Sequence, residues 1–230
     1  MWWRMPSVDS SFNQLIITVG ARNSALSKTQ VEEVHREISQ HHPAVRFHPF
    51  YIETTGDRDL TTSLRMLDKT DFFTKEIDAF QLIRGCRISI HSAKDLPEPL
   101  TLGLHIAALT RGIDASDALV LREGESIQDL PLAARIGTSS FRREQTIQAL
   151  RSDLRCVDIR GSIVHRLSLL DTGCVDGLVV AEAALIRLQL TNRNRIKLLG
   201  KTAPLQGRLA VLARADDEEM KQLFSCIDDR

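Results

Sequence analysis

CRISIHSAKDLPEP, residues Cys86 to Pro99, runs an alternating apolar pattern straight into Lys94, Asp95 and a proline. Cys86, Ile88 and Ile90 fall on one side and Arg87 and Ser89 on the other, which predicts a half-buried strand. Pro97 ends it, and Leu96, preceding a proline, is held out of helical geometry. His91, Ser92, Lys94 and Asp95 therefore stand at or just past a strand end, where open α/β sheets take their ligands. The competing reading is a turn with an exposed ion pair, which contributes little.

Upstream, Leu15 to Val19 is a short β-rich run, followed by Gly20, Ala21, Arg22, Asn23 and Ser24. Ser24 has the chemistry of an N-cap for a helix reaching about Gln40. Val45 to Ile52 reads as a second strand, and the polar, aperiodic stretch Thr54 to Asp71 as a mobile loop. Phe73, Ile77, Phe80 and Ile83 keep helical spacing, and Gly85 suits the position after the helix end. Downstream, Leu104 to Thr110 and Ala118 to Leu121 are strand-like, with a crossing between lobes near Arg111 to Ala118. A strand, turn and helix unit then recurs. Arg135 to Gly137, Thr138 to Ser140 and Phe141 to Arg151 form one copy; Cys156 to Ile159, Arg160 to Ser162 and Ile163 to Leu170 form the next. A third strand, Gly177 to Ala181, feeds a helix holding Glu182 and Arg187. Such alternation implies α/β architecture with βαβ units and parallel sheet. Ala203 to Ala213 begins with a break and becomes strand-like, before a helix over Asp217 to Cys226.

The 230 residues leave room for one large domain or two smaller ones, and the 43% hydrophobic content marks a globular protein. Thirty basic side chains balance thirty acidic ones, so no overall field favours nucleic acid or an anionic membrane. No apolar run is long enough to span a bilayer, and we expect a soluble, cytoplasmic protein, monomeric, with residues 1–11 disordered. Cys86, Cys156, Cys174 and Cys226 lie far apart, which argues against a zinc site or a disulfide framework. No metal is expected.

Arginine recurs beside Ser, Thr or Gly just after strands: Arg22 with Ser24, Arg142 and Arg143 after Thr138 to Ser140, Arg160 with Gly161 and Ser162. Cations at a helix start oppose the macrodipole by about 0.3–1 kcal/mol each. A bound anion removes that conflict, and free amides, hydroxyls and guanidinium forks together describe a carboxylate or phosphate site. The alternative is solvated surface arginines. No Gly-x-Gly-x-x-Gly or Walker loop supports nucleotide binding. Asp95 is a better chemical candidate than His91, because a carboxylate can stabilise positive charge on a ligand held by its acidic groups.

Six blocks, VGARNSALSKTQ, FTKEIDAFQL, IHSAKDLP, GTSSFRREQ, DIRGSIVHRLSLLD and DGLVVAEAALIRL, resemble the hydroxymethylbilane synthase (porphobilinogen deaminase) family in order and spacing, over about Ile16 to Asp217. The resemblance implies a transferase of tetrapyrrole and haem biosynthesis that joins four porphobilinogen units head to tail with release of ammonia. It implies two lobes resembling type II periplasmic binding proteins, plus a small third domain carrying a dipyrromethane primer on a cysteine. By position, Asp95 matches the catalytic aspartate. Ser24, Lys94, Thr138, Ser140, Arg142, Arg143 and Arg166 match residues around the cofactor, Arg22, Arg160, Arg166 and Arg187 match arginines that grip acetate and propionate groups, and Gln206 matches a hinge glutamine. The lobes are expected over residues 12–110 plus 203–230 and over 111–202, with Asp95 facing the arginines across the cleft.

The chain departs from the family pattern at Asp68, Lys69, Thr70 and Asp71, where Gly and Lys are usual before the Phe. It also departs at Ser162, usually Asn, and at Leu205 and Arg208, usually smaller. The sequence stops at Arg230, about where the third domain is expected, and lacks the Gly-Gly-Cys-type loop; we therefore expect a short form binding dipyrromethane without a thioether. Two alternatives remain: a catalytically weak binder of porphobilinogen or linear pyrroles, and a cytosolic module for another dicarboxylate.

Overall fold

In the computed structural model, which describes residues 14–67 and 69–230, the chain builds two five-stranded sheets. The expectations for residues 1–11, for a lobe beginning at Phe12 and for Asp68 lie outside the described residues. The elements run β1 (Leu15–Arg22), α1 (Ala25–His41), β2 (Val45–Ile52), α2 (Thr55–Arg58), α3 (Lys75–Leu82), β3 (Ile88–Ser92), β4 (Leu104–Leu109), β5 (Asp117–Val120), β6 (Arg135–Gly137) and α4 (Phe141–Leu150). After them come β7 (Arg155–Val157), α5 (Ile163–Asp171), β8 (Gly177–Ala181), α6 (Glu182–Arg187), β9 (Arg195–Leu198), β10 (Leu209–Arg214) and α7 (Glu218–Phe224).

The strand orders are β2-β1-β3-β10-β4 and β7-β6-β8-β5-β9. In each sheet three strands are parallel, and the fourth position is filled by the antiparallel strand that has just crossed from the other lobe, β10 or β5. The sheets are thus mixed rather than purely parallel.

Helix α1 exists because Val31, Val34 and Ile38 return at helical spacing to one buried face, and Ser24 accepts from the Ser27 amide at its start. That face joins Ile17, Val19, Ile88, Ile90 and, from α7, Met220 and Phe224 in one core. On the opposite face of β1 lies Ile77 of α3. A Cβ on Gly20 would stand 3.1 Å from its Cγ2 and 2.8 Å from Cys86 Sγ, so only glycine permits this approach.

Strand β3 is buried on both faces, not half-buried: Ser89 is fully buried, like Ile88, and His91 nearly so. The cost of burying its polar face is met by hydrogen bonds. Ser89 Oγ donates to Gln81 Oε1 at 2.8 Å, His91 Nε2 lies 3.0 Å from Ser89 Oγ, and Gln81 Nε2 donates to Leu212 O at 2.9 Å. The residue that ends α3 also differs from expectation. Arg84 takes the left-handed conformation (φ 65°), whereas Gly85 is required because a Cβ there would meet the Phe80 ring at 2.1 Å. Part of the stretch Thr54 to Asp71 is ordered by hydrogen bonds: α2 forms with the Asp57 carboxylate accepting from Thr54 N (3.1 Å) and Oγ1 (2.8 Å), and a 3-10 turn covers Leu64–Met66.

The chain passes between sheets at 110–117 and again at 201–209, and the two passages are pinned together. Thr110 N donates to Leu209 O at 2.9 Å, and Arg208 donates to Thr110 O (2.6 Å) and to Asp229 Oδ2 (2.9 Å). A Cβ on Gly207 would lie 2.4 Å from Asp114 O, while Leu205 sits in the left-handed region at φ 59°.

Candidate active site

The residues singled out from sequence converge at the carboxyl ends of the parallel strands. Arg22 ends β1, Ser92 ends β3 and leads into a 3-10 turn over Ala93–Asp95, Thr138 follows β6, and Arg160 follows β7. Asp95 is half-buried, and among the described residues its carboxylate makes no hydrogen bond or ion pair. Next to it Lys94 Nζ donates to Gln206 Oε1 at 3.2 Å. Burial pushes Lys94 down to about 8, reinforced by the guanidinia of Arg143 and Arg142 and opposed by Asp95 and Asp117. Lys94 of the first lobe therefore stands within electrostatic reach of the arginine pair of the second.

That pair is organised by Asp117, a residue the sequence reading did not single out. Its side chain is 4% exposed. Oδ1 accepts from Arg143 Nε (3.0 Å) and Nη2 (2.7 Å) and from Gln206 Nε2 (2.9 Å), and Oδ2 accepts from Arg142 Nη1 at 2.7 Å. Burial raises the Asp117 carboxyl, but Arg143 and the hydrogen bonds from Arg143, Arg142 and Gln206 bring it below its ordinary value. The conflict between the α4 dipole and two arginines is thus relieved by a protein carboxylate. An acid opening an apolar strand, as Asp117 opens β5, was the available signal: such a group is seldom buried without partners.

Arg22 is engaged by Asp57, with Nε at 3.3 Å from Oδ2, and its guanidinium carbon lies 4.2 Å from the centre of the Phe73 ring. Arg160 donates from Nη2 to Asp59 O (2.7 Å) and Gly56 O (3.2 Å) and stands over Phe72 and Phe73, while its buried Nε has no acceptor. Arg166 donates from Nε to Gly161 O at 2.9 Å. Burial drives it down to about 10, with Arg143, Arg160 and Arg22 acting in the same direction and Asp158 against. Among the described residues neither Arg160 nor Arg166 makes an ion pair with a carboxylate, although Asp59, Asp158 and Asp57 act on Arg160 and Asp158 acts on Arg166 from farther away.

Thr138 is buried, and its Oγ1 accepts from Ser140 N at 3.3 Å. Ser140 makes no side-chain cap at the start of α4, leaving its hydroxyl and the first-turn amides for a ligand. The polar stretch before α3 reaches across to the second lobe: Arg65 Nη2 lies 3.2 Å from Glu144 Oε2, and Arg160 holds the carbonyls of Gly56 and Asp59. Arg187 lies apart from this cluster in its bonding, paired with Glu33.

His91 is pushed down to about 4 by burial and by Arg22, which keeps it neutral and inside the core network. Cys86 is buried and Cys156 half-buried, and burial raises both thiols to about 11. Cys174 and Cys226 are exposed. Among the described residues no group of three or more His, Cys, Asp or Glu is placed to hold a metal ion, and no helix is long and apolar enough to cross a membrane.

The fold is a two-lobed α/β architecture of the type II periplasmic-binding kind, with arginines gathered at its strand ends. Solved structures agree on the fold. The LysR-family transcriptional regulator CbnR superposes with a TM-score of 0.57 at 10% identity, over 93% of this chain and 70% of that one. The probable amino-acid ABC transporter extracellular-binding protein ytmK from Bacillus subtilis gives 0.53 at 12% identity, over 91% and 89%. Sequence comparison is more specific. The family model described as porphobilinogen deaminase, dipyromethane cofactor binding domain, matches residues 17–222. A porphobilinogen deaminase of Desulforudis audaxviator (strain MP104C) is 39% identical over 215 residues, 92% of this chain and 70% of that protein. A probable porphobilinogen deaminase of Chlamydia pneumoniae is 38% identical over 211 residues, 92% of this chain and 89% of that protein. The chain belongs to the porphobilinogen deaminase family.

Proposed function

We infer that this chain is a transferase that joins porphobilinogen units head to tail to hydroxymethylbilane, releasing ammonia at each step, as its family membership indicates. What supports the assignment of the site is the free carboxylate of Asp95 beside Lys94, which lies within electrostatic reach of Arg143 and Arg142, together with Arg160 and Arg166, which make no ion pair among the described residues. Porphobilinogen suits that arrangement. Its acetate and propionate groups suit Arg160, Arg166 and the free edge of Arg142 as charge-assisted hydrogen bonds, while Arg143, its fork held by Asp117, contributes positive charge. Ser24, Thr138, Ser140 and the open start of α4 add neutral donors. Arg22 holds Asp57 and the Phe73 ring in place at the cleft edge.

As the aminomethyl group leaves, the pyrrole becomes electron-poor and positive charge develops next to Asp95. A carboxylate fixed there stabilises that charge more than it stabilises the neutral substrate, which is the condition for lowering the barrier. Lys94 and the arginines hold the substrate's own carboxylates away from Asp95.

The unpaired guanidinia and the buried Arg160 Nε without an acceptor fit a dipyrromethane bearing several carboxylates, and Arg142, Arg143, Arg166, Lys94, Ser24, Thr138 and Ser140 would hold it. When bound, that group supplies the electron-rich pyrrole carbon to which the first unit is joined. For a covalent tether the four cysteines offer no support: Cys86 and Cys156 are held as thiols by burial, and neither Cys174 nor Cys226 lies among the cleft residues. We propose that none of these four cysteines carries the primer by a thioether, and that the protein is a monomer in the cytoplasm, where unpaired cysteines stay reduced.

Incubation with porphobilinogen tests the assignment, following ammonia and bilane together. Release of both supports the enzyme; saturable binding without either identifies a pyrrole-binding relative instead. Intact mass under denaturing conditions tests the primer, and an adduct removed by Cys226→Ala would show that the C-terminal cysteine carries it.

A further inference from the structure

The two lobes are joined by an ion pair that lies outside the arginine cluster. Glu33, on α1 of the first lobe, accepts from Arg187 Nε at 2.7 Å through Oε2 and from Nη2 at 2.8 Å through Oε1. Arg187 ends α6 of the second lobe, and its Nη2 also donates to Gly207 O at 2.9 Å, in the second passage between lobes. The side chains are 5% and 14% exposed for Arg187 and Glu33. A forked, shielded pair of this kind is fixed in geometry, unlike an exposed one.

We propose that Glu33 and Arg187 form an interlobe strut that sets the closure of the cleft, and that Arg187 acts as a positioning residue rather than as a grip on substrate carboxylates. Three elements meet at this one guanidinium. Helix α1 begins at Ser24, in the cleft, and α6 follows directly on β8, the centre of the second sheet. Gly207 is the neighbour of Gln206, whose side chain joins Lys94 of the first lobe to Asp117 of the second. Losing the strut frees the passage that carries Gln206 and so loosens the placement of Arg142 and Arg143 opposite Asp95. A substrate carboxylate that used Arg187 would have to displace Glu33, leaving that acid buried beside Glu37, whose carboxyl is raised by burial and by Glu33.

Hydrogen–deuterium exchange of the unliganded full chain, read by mass spectrometry over residues 203–209, tests the strut. Glu33→Gln and Arg187→Gln are each expected to speed exchange there, by on the order of a hundredfold if the pair behaves as a buried one, and the double variant to be no faster than the singles. Wild-type exchange in Glu33→Gln, or single effects that add in the double variant, would overturn the proposal. Should a glutamine variant fail to fold, Arg187→Lys keeps the charge but not the fork: faster exchange supports the strut and unchanged exchange refutes it. Kinetics on porphobilinogen, which rest on the proposed function, give a second reading. A strut predicts matched losses in kcat/KM for the two glutamine variants. A substrate grip predicts a raised KM for Arg187→Gln alone, with Glu33→Gln lowering KM by freeing the guanidinium. Because exchange is read without ligand, a chain inactive on porphobilinogen would defeat the proposed function and leave this inference standing.

Discussion

Gln206 Nε2 donates to Asp117 Oδ1 at 2.9 Å, so the glutamine of the second interlobe passage is bonded to the carboxylate that holds Arg142 and Arg143. Asp117→Asn removes that charge while keeping the shape. It leaves Arg143 and Arg142 next to an amide that can direct only one oxygen at them. We expect a loss of about 3 kcal/mol in unfolding free energy, at the low end for breaking a buried pair because Arg142 is partly exposed. The folded-state pKa of Asp117 is depressed, so this contribution is present above the ordinary carboxylate range and is lost as pH falls through the folded value. Denaturant unfolding of wild type and variant at pH 7 and again at low pH should show the gap closing in acid. A gap of equal size at both would mean that charge is not what Asp117 supplies.

Lys94 gives the cleft a titration near neutrality. Below about 8 it is an ammonium facing the ligand; as pH rises through that value it becomes neutral. Binding of porphobilinogen, measured by calorimetry, should therefore weaken between about pH 7 and 9, and the step should vanish in Lys94→Met. For folding the sign is opposite. The depressed pKa means that the unfolded chain binds more protons between about 8 and Lys94's ordinary value of 10.5, so stability from this group rises with pH there. A pH step of equal size in Lys94→Met would assign it to another group.

Arg166 should show its ligand role in a separation of affinity from stability. Arg166→Leu removes one charge-assisted contact, expected to weaken binding of carboxylated pyrroles by roughly 1.5–3 kcal/mol. It also removes a half-buried guanidinium that makes no ion pair, so the melting temperature should hold or rise. Unchanged affinity, or a clear fall in melting temperature, would make Arg166 a structural residue.

Asp95→Asn tests the chemistry itself. The carboxylate makes no bond to the described protein groups, so its replacement should leave fold and porphobilinogen affinity near wild type. Turnover should fall on the order of a hundred- to a thousandfold, the usual consequence of losing one preorganised electrostatic group. Ammonia release at the wild-type rate in this variant would take Asp95 out of the mechanism.

Local sequence determined much of what was found. Ser24 caps α1 because a hydroxyl at that point satisfies an amide of the first turn, and Val45 to Ile52 and Gly177 to Ala181 are strands over the residues that their patterns marked. That Arg22, Arg160 and Asp95 stand at or just past strand ends was legible from the apolar runs and the breaks that end them. Strand β9 was not read: its alternation is short, and half of it faces solvent. Burial of Ser89 also escaped, since the pattern of β3 shows its apolar side only; α3 and Gln81 supply the cover that makes the other side a core face. What only the tertiary structure decided is which charges are already paired. Asp57 with Arg22, Asp117 with Arg142 and Arg143, and Glu33 with Arg187 join residues 35, 25, 26 and 154 positions apart. Electrostatic attraction depends on distance in space and on shielding from water, neither of which residue order records, so the chain could name the arginines but not say which of them remain free for a ligand.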